Sequence, residues 1–472
     1  MYVNEDKTSL KDILKLLFTA SKGFWLVNAV NFGDGIAYFG MLNLMTLFLG
    51  PVANGMGMGM SDQLTGWSVS LFTGLVTLFM FGGGFISDKL GVRRALTLCL
   101  VFLLGGRVML TLAPALSAVP LASFTMFGTD FQLAPAFILA WIGLLVMSFG
   151  EGVIQPALYA GVKEYTDERT ATVSYSLLYA IMNLGIMMES FASPYLRTPA
   201  KFVSVGGRDV MGLGWGISGV FWFCIAITGL MLLVHVTFFT RKVEETDRTV
   251  KDVPAAAADA HKTLGEKLRD LPFLDARFMF FIFILLPVRT LFAHQWLTIP
   301  QYIMRCFPAE VGAKYEWISA LNPLIIVIFV PLIAAATRRA NIITMMIIGT
   351  AISALTTFLL VPGPDLASLL AYVLLFSLGE AVWSSRFLEY VAHIAPPGRV
   401  GAYMGLAGIP WFLAKFTTGL YSGHMLSVYV PQTGPQDSGT LWLIYAAIAC
   451  VTPVTLILTR GWLSDRRPVT KQ

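Results

Sequence analysis

The chain has 472 residues, of which 56% are hydrophobic and 13% are charged, and its mean hydropathy is +0.70. A soluble globule of this length needs more polar surface than this composition provides. The net charge of +5 does not indicate nucleic-acid binding, because the cations gather in loops between apolar segments and not on one face. The composition therefore predicts a polytopic protein whose surroundings are the lipid bilayer.

Residues 1–22 carry four lysines, and Leu10, Ile13, Leu14 and Leu17 follow at helical spacing. This pattern is typical of a short amphipathic helix at a membrane surface. No cleavable signal peptide is visible, and the next apolar run exceeds the roughly 20 residues that cross a bilayer. We expect a cytoplasmic segment ahead of the first span.

Twelve apolar runs follow in chain order, in two groups of six, and each is long enough to span the hydrocarbon core. They lie near 23–49, 63–87, 94–118, 132–160, 172–196 and 213–240, then near 276–303, 316–337, 341–362, 366–394, 399–425 and 440–462. Residues 241–275 are polar and charged, which indicates a cytoplasmic linker. The predicted organisation is an N-terminal six-helix bundle over 23–240, this linker, and a C-terminal bundle over 276–472.

The loop cations predict the orientation of the chain in the membrane. Most of the 33 Lys and Arg residues lie in the N-terminal segment, the linker and the loops on the side of Asp88. Because cytoplasmic loops are enriched in Lys and Arg, both termini are expected in the cytoplasm, with the protein in a cell membrane, the inner membrane of a bacterium. Two six-helix halves related by a pseudo-two-fold axis would enclose a cavity at mid-membrane.

The turn between the second and third spans, GGGFISDKLGVRR at 82–94, combines a glycine cluster with one carboxylate and three cations. Glycines allow helices to approach closely, and Asp88 can pair with Arg93 at the start of the next helix. We expect Gly84, Asp88 and Arg93 to form a conformational gate. A charged loop that only sets the orientation is the alternative.

Three segments of the first half place polar or ionisable groups inside spans, where a charge costs about 2.5–3.5 kcal/mol on insertion scales and indicates function. They are NFGDGIAYFGM at 31–41, GEGVIQP at 150–156, and YSLLYAIMNLG at 175–185, with Glu189 following on the same helix. In the alternative interpretation, Glu151 and Glu189 have only a structural role and pair with Arg107 on helix 3.

The second half carries its own ionisable groups. Helix 7 contains RTLFAHQW at 289–296, where His294 has an unperturbed pKa of about 6.5 and could exchange protons or be a buried structural residue. Helix 8 contains Asn322-Pro323, a predicted kink. Helix 10 contains SLGE at 377–380; burial of Glu380 favours its neutral form, and a nearby cation favours its charged form.

Two further features of the second half concern cations. Arg386, Glu389 and His393 share one helical face, which favours an interlocked gate at the cytoplasmic side. Lys415 on helix 11 is a buried cation whose partner the sequence does not indicate.

Together these segments resemble major facilitator transporters, and the proton-dependent oligopeptide transporter family in particular, over nearly the whole chain. The resemblance departs from the family where charged contacts are usual. In helix 1, Asn31 and Asp34 stand at the positions of two acids, and Gly35 and Leu42 replace two arginines; in helix 4, Gln155 replaces a lysine.

The resemblance implies an all-α membrane protein with the major facilitator fold, twelve transmembrane helices in two six-helix bundles. It implies a proton-coupled secondary transporter that moves a small peptide-like or modified organic solute by alternating access. The alternatives are a proton-coupled exporter of drugs or organic cations, an uncoupled facilitator, and a receptor. The lost cations favour weak or no recognition of a free carboxylate. Arg107 or Arg289 turning into the cavity is the alternative that would restore peptide binding.

The resemblance and the positions of these residues also give candidate roles. Glu380 is the first candidate proton carrier, with Asp34, Glu151 and His294 as alternates, and Arg107 and Arg289 as charge partners. The expected substrate contacts are Tyr38, Phe39, Gln155, Asn183, Gln295, Trp296 and Ser384.

No pattern of an enzyme accompanies these residues. The chain has neither a phosphate-binding Gly-x-x-x-x-Gly-Lys-Ser/Thr loop nor a His-Glu-x-x-His pair, and its four cysteines are widely separated. We therefore expect no catalytic site, metal or cofactor. The expected partners are the solute, protons and lipid, with the chain acting as a monomer.

Overall fold

The computed structural model describes residues 19–51, 57–126, 128–166, 171–203, 209–248, 274–337, 340–394 and 407–464. The amphipathic helix expected within residues 1–22 lies almost wholly outside this range. The first described helix begins at Lys22, where the Ser21 hydroxyl accepts the backbone N–H of Phe24 as an N-cap.

The first half contains six long helices and two short hairpins. The helices are α1 (Lys22–Leu49), α2 (Asp62–Leu90), α3 (Val92–Leu112), α4 (Pro135–Glu164), α5 (Ala171–Arg197) and α6 (Gly216–Phe238), followed by the short α7 (Arg241–Asp247). Antiparallel hairpins join α3 to α4, with β1 (Ala122–Met126) and β2 (Thr129–Leu133), and α5 to α6, with β3 (Lys201–Val203) and β4 (Asp209–Met211).

The second half has a segmented first span and five further long helices. The segmented span consists of α8 (Ala276–Ile284), α9 (Leu286–Leu297) and α10 (Ile299–Cys306). After the single turn α11 (Ala309–Gly312) come α12 (Tyr315–Ala336), α13 (Ile342–Thr356), α14 (Leu366–Ile394), α15 (Ile409–Tyr429), α16 (Ser438–Leu458) and the short α17 (Arg460–Ser464).

The long helices begin and end within six residues of the predicted spans, except that α15 begins at Ile409 and residues 399–406 of the eleventh span are outside the described part. Within the described ranges, nine helices are long and apolar enough to cross a membrane. In α12 the described apolar stretch is shorter, Tyr315–Val330.

The single span predicted near 276–303 is divided into three consecutive helical segments. Pro287 and Pro300 stand at the first turns of α9 and α10. Proline lacks a backbone N–H and clashes with the preceding turn, so a helix restarts at each of them. The β1–β2 hairpin also occupies the residues predicted to begin the fourth span, which starts at Pro135 instead.

Side-chain caps fix several helix starts outside the apolar spans. The hydroxyl and the backbone N–H of Thr440 donate to Asp437 ahead of α16 and hold the pKa of that carboxyl below its usual range. At the turn between α2 and α3, Gly91 has φ +76°, a conformation that other residues rarely adopt, so a glycine is required in this tight turn.

The two bundles meet along four helix pairs. Helix α2 packs on α15, α5 packs on α12, and α1 packs on α9 and α10. At the α2–α15 contact, the backbones come so close that a Cβ on Gly66 would lie 2.7 Å from the carbonyl oxygen of Gly419. These contacts place α1, α2 and α5 of the first bundle against α9, α10, α12 and α15 of the second.

The helix assembly has two ends, a linker end and a far end. The linker end contains Leu90, Arg93 and α7; the backbone N–H of Gly23 at the start of α1 donates to Asp247 there, at 2.8 Å. The far end contains the end of α1, the start of α2 and the two hairpins.

Candidate functional site

The N-terminal bundle holds a buried ionic triad of Arg107 with Asp34 and Glu151. Nη2 of Arg107 on α3 lies 2.6 Å from Glu151 Oε1 on α4 and 3.1 Å from Asp34 Oδ1 on α1. The Arg107 guanidinium also donates to the Thr228 hydroxyl on α6, and Arg107 is fully buried. One guanidinium therefore compensates two carboxylates that four helices bring together, and the triad carries one negative charge when all three groups are ionised.

Glu189 does not join this triad, so the alternative in which it pairs with Arg107 is wrong for this acid. It is 2% exposed and lies against Gly40 of α1 and Cys224 of α6. Neither of its carboxyl oxygens has a hydrogen-bond donor among the described residues. Ser193, one helical turn further along α5, donates its hydroxyl to Glu316.

The contact between α1 and α5 explains why helix 1 has no arginine at residue 35. A Cβ on Gly35 would lie 2.5 Å from the carbonyl oxygen of Met182, and one on Gly185 would lie 2.4 Å from that of Phe32. Two backbones at this separation leave no room for a side chain between them. An arginine at residue 35 would therefore require α1 and α5 to move apart.

Glu380 occupies the C-terminal bundle with an amide as its hydrogen-bond partner. The Asn322 side chain on α12 donates to Glu380 Oε2 at 2.8 Å and to the Ser377 hydroxyl at 3.0 Å. Glu380 is partly exposed, and it is within electrostatic range of Tyr179 on α5 of the opposite bundle. No described Lys or Arg lies within ion-pair distance of it. The carboxyl group therefore faces the space between the bundles without a fixed counterion.

His294 lies apart from these acids, inside the C-terminal bundle. Its ring stacks on Tyr445 with centroids 3.8 Å apart, and its two nitrogens lie 2.7 Å from the Thr298 hydroxyl and 3.2 Å from the Tyr421 hydroxyl. It is completely buried. These contacts favour the structural alternative for this histidine over the proton-carrier role.

Two cations of the C-terminal bundle surround Trp411 on α15. The guanidinium carbon of Arg289 lies 5.0 Å from the centroid of the Trp411 ring, and the Lys415 ammonium nitrogen lies 5.8 Å from it. Lys415 also lies 6.0 Å from the ring of Trp296, and Glu151 across the space between the bundles is within electrostatic range. The sequence did not indicate this environment for Lys415.

The remaining predicted substrate contacts are distributed over both bundles. Tyr38 and Phe39 are partly exposed, and their rings meet edge to face at 5.0 Å. Asn183 donates to its own helix at Tyr179, and Gln295 donates to the Tyr372 hydroxyl. Gln155 and Ser384 are partly exposed. The polar groups available to a solute are thus sparse and set among aromatic rings.

Residues that the sequence analysis missed close the far end of the assembly. Asp62 of α2 and Arg305 of α10 form a two-pronged ion pair at 2.5 and 2.9 Å. Arg197 of α5 and Glu316 of α12 form another at 2.7 and 2.8 Å, and both members are almost fully buried. Both pairs join one bundle to the other, so this end is closed. Their only sequence signal is a charge at the end of an apolar run.

At the linker end, the predicted gates are described only in part. Arg93 donates to Glu244 of α7 at 2.9 Å, while the surroundings of Gly84 and the side chain of Asp88 lie outside what the structure describes. Arg386 pairs with Glu389 and donates to Thr337, whereas the side chain of His393 is likewise outside. The gating roles of these residues remain predictions.

Comparison with known proteins places this geometry among transporters. A family model described as Major Facilitator Superfamily matches residues 24–417. The Dipeptide and tripeptide permease A of Yersinia pestis is 22% identical over 93% of this chain and 92% of its own length. The predicted resemblance to peptide transporters of this superfamily is thereby confirmed.

Solved structures agree on the fold. A crystal structure of the peptide transporter POT in complex with sulfate superimposes with a TM-score of 0.69 at 16% identity, covering 96% of this chain and 99% of that one. The nucleoside transporter NupG, solved as a point mutant, gives 0.66 at 14% identity, covering 93% and 99%. The twelve-helix architecture in two bundles is confirmed, and these neighbours are transporters and not enzymes. By the match over most of its length, the chain belongs to the Major Facilitator Superfamily.

Proposed function

We propose that this multi-pass membrane protein is a proton-coupled secondary transporter of small peptide-like solutes. The observation that carries the proposal is Glu380: a partly exposed carboxyl group that faces the opposite bundle, with an amide as its hydrogen-bond donor. A carboxyl group held in this way can take up and release a proton as its surroundings change. The similarity to a dipeptide and tripeptide permease supports peptide-like solutes.

The closed far end supports alternating access. The pairs Asp62–Arg305 and Arg197–Glu316 would have to separate for the solute to pass that end, because each joins the two bundles. A symmetric rocking of the two bundles would open these contacts. The described structure then corresponds to one of the two principal states of the cycle.

Transport into proteoliposomes would test this proposal. Radiolabelled dialanine should accumulate above its equilibrium level when the outside is made acidic, and a protonophore should abolish the accumulation. Liposomes without protein are the control. Uptake that does not depend on the pH step would instead indicate an uncoupled facilitator. If no di- or tripeptide crosses the membrane, peptide transport is contradicted.

An exporter of organic cations is supported less well than a peptide transporter. The triad has an excess of only one negative charge, because Arg107 contacts both of its carboxylates. Arg289 and Lys415 place two further cations beside the space between the bundles, and no described acid forms an ion pair with either. The positive charges of Arg289 and Lys415 would repel a purely cationic solute in this space.

We further propose that the protein lies in a bacterial inner membrane, which the similarity to a bacterial permease supports. Both termini would lie in the cytoplasm, as the distribution of Lys and Arg favours. In a variant without the four native cysteines, Asp209→Cys on the exposed β4 should react with a membrane-impermeant maleimide in intact cells. Glu245→Cys on α7 should react only after permeabilisation. Labelling of both residues from the same side would contradict this orientation.

A further inference from the structure

The C-terminal bundle contains buried hydrogen-bond donors that have no acceptor. Arg289 on α9 is 1% exposed, and its Nε and Nη1 meet no hydrogen-bond acceptor among the described residues. The indole N–H groups of Trp296 and Trp383 are also buried and unpartnered there. Buried donors in native proteins are nearly always paired, so this group indicates a ligand that supplies acceptors.

Aromatic rings, and not carboxylates, surround the Arg289 guanidinium. Its central carbon lies 4.2 Å from the ring centroid of Phe387, 5.0 Å from that of Trp411 and 5.7 Å from that of Trp383. Ring faces attract a cation but accept no conventional hydrogen bond, so they compensate only part of the cost of burying the charge. The directional N–H groups remain available for an anion.

Lys415 adds a second cation to the same ring. Because its ammonium and the Arg289 guanidinium both lie against Trp411, at 5.8 and 5.0 Å, they are separated by about 11 Å at most. Lys415 and Trp411 are partly exposed, so this side of the group is open to the space between the bundles. No described carboxylate lies within ion-pair distance of either cation.

We propose that Arg289 and Lys415, set around Trp411, form a subsite for the carboxylate of the transported solute. A planar guanidinium matches a carboxylate in a two-pronged contact, and the Lys415 ammonium supplies a mobile charge beside it. The ammonium end of a peptide would then point to the N-terminal bundle, where the triad of Arg107, Asp34 and Glu151 has one carboxylate in excess.

This subsite rests on the proposed transport of peptide-like solutes and refines it. The sequence predicted weak recognition of a free carboxylate, because Gly35, Leu42 and Gln155 replace cations of helices 1 and 4. The structure places cations on α9 and α15 instead, on the opposite side of the space between the bundles. A free carboxylate is therefore still recognised in this proposal. It would bind at the C-terminal bundle, whereas the cations that helices 1 and 4 lack would have placed it at the N-terminal bundle.

Binding of dialanine and dialanine amide to the purified full-length protein would test the subsite. We expect the free acid to bind about tenfold or more tightly than the amide, as loss of a hydrogen bond between charged groups implies. In Lys415→Gln and in Arg289→Gln this preference should fall toward one, with the amide's affinity little changed. Lys415→Arg should keep the preference, as should Lys201→Gln, which removes an exposed lysine on β3.

Size-exclusion profiles and thermal unfolding in detergent would show which variants fold, and Lys415→Arg tests the idea independently of the neutral variants. Equal binding of acid and amide by the unmodified protein would overturn the subsite while leaving peptide transport intact. A preference that persists in both glutamine variants would also overturn it. Binding and transport of neither compound would overturn the proposed function together with the subsite.

Discussion

Replacement of Glu380 by glutamine is expected to abolish the accumulation of peptide against its gradient. The amide keeps the size of the side chain and its contact with Asn322 but cannot bind or release a proton at neutral pH. Exchange of labelled for unlabelled peptide without a pH step should persist, because it requires binding and bundle movement without net proton transfer. Uptake and counterflow in proteoliposomes, measured on the same preparation, would separate the two activities.

Glu310→Gln is a matched control, since Glu310 is an exposed acid on the short α11 and the chemical change is the same. It should leave accumulation unchanged. Asn322→Leu would remove the amide donor from Glu380 and should shift the pH at which transport begins without abolishing it. Full accumulation in Glu380→Gln would exclude this residue as the proton carrier and direct attention to Asp34 and Glu151.

Loss of Arg107 is expected to have the largest effect on stability. The change Arg107→Met leaves Asp34 and Glu151 buried without their shared counterion, and removal of one partner from a buried ion pair typically costs about 3–5 kcal/mol. The midpoint of thermal unfolding in detergent should therefore fall strongly. Arg241→Met, at an exposed pair with Glu245, should leave it nearly unchanged.

A triple variant distinguishes loss of charge compensation from loss of packing. Combining Arg107→Met with Asp34→Asn and Glu151→Gln removes all three charges, and most of the lost stability should return, since neutral replacement of a whole buried network is often tolerated. If Arg107→Met alone unfolds at the same temperature as the unmodified protein, the triad does not hold the bundle together. If the triple variant is no more stable than Arg107→Met, the stability was lost through packing and not through the uncompensated charges.

The number and extent of the helices were largely predictable because apolar run length is a local property of the sequence. A bilayer requires about 20 apolar residues per helix, and the runs could be counted without knowing what they contact. The breaks at Pro287 and Pro300 were missed because the run was interpreted by its length, which does not show where a proline restarts the helix. The hairpins were missed because strands of three and five residues give almost no periodic signal.

The candidate site was predictable only as a set of residues. Asp34, Glu151, Arg107 and Glu380 could be recognised, since a charge inside a span is costly and therefore informative. Their pairing could not be, because Glu151 and Glu189 look equivalent in the sequence. The rotation of each helix in the folded bundle decides that Glu151 pairs with Arg107 and that Glu189 lies against Gly40 and Cys224.

By itself, the sequence determined that the chain is a membrane protein of twelve helices with ionisable groups inside its spans, because composition and run length act residue by residue. Only the tertiary structure decided which charges meet. The contact of α1 with α5 at Gly35 excludes a side chain there, and the approach of α9 to α15 places two cations at Trp411. These relations join residues far apart in the chain, and they depend on how each helix is turned and packed in the bundle.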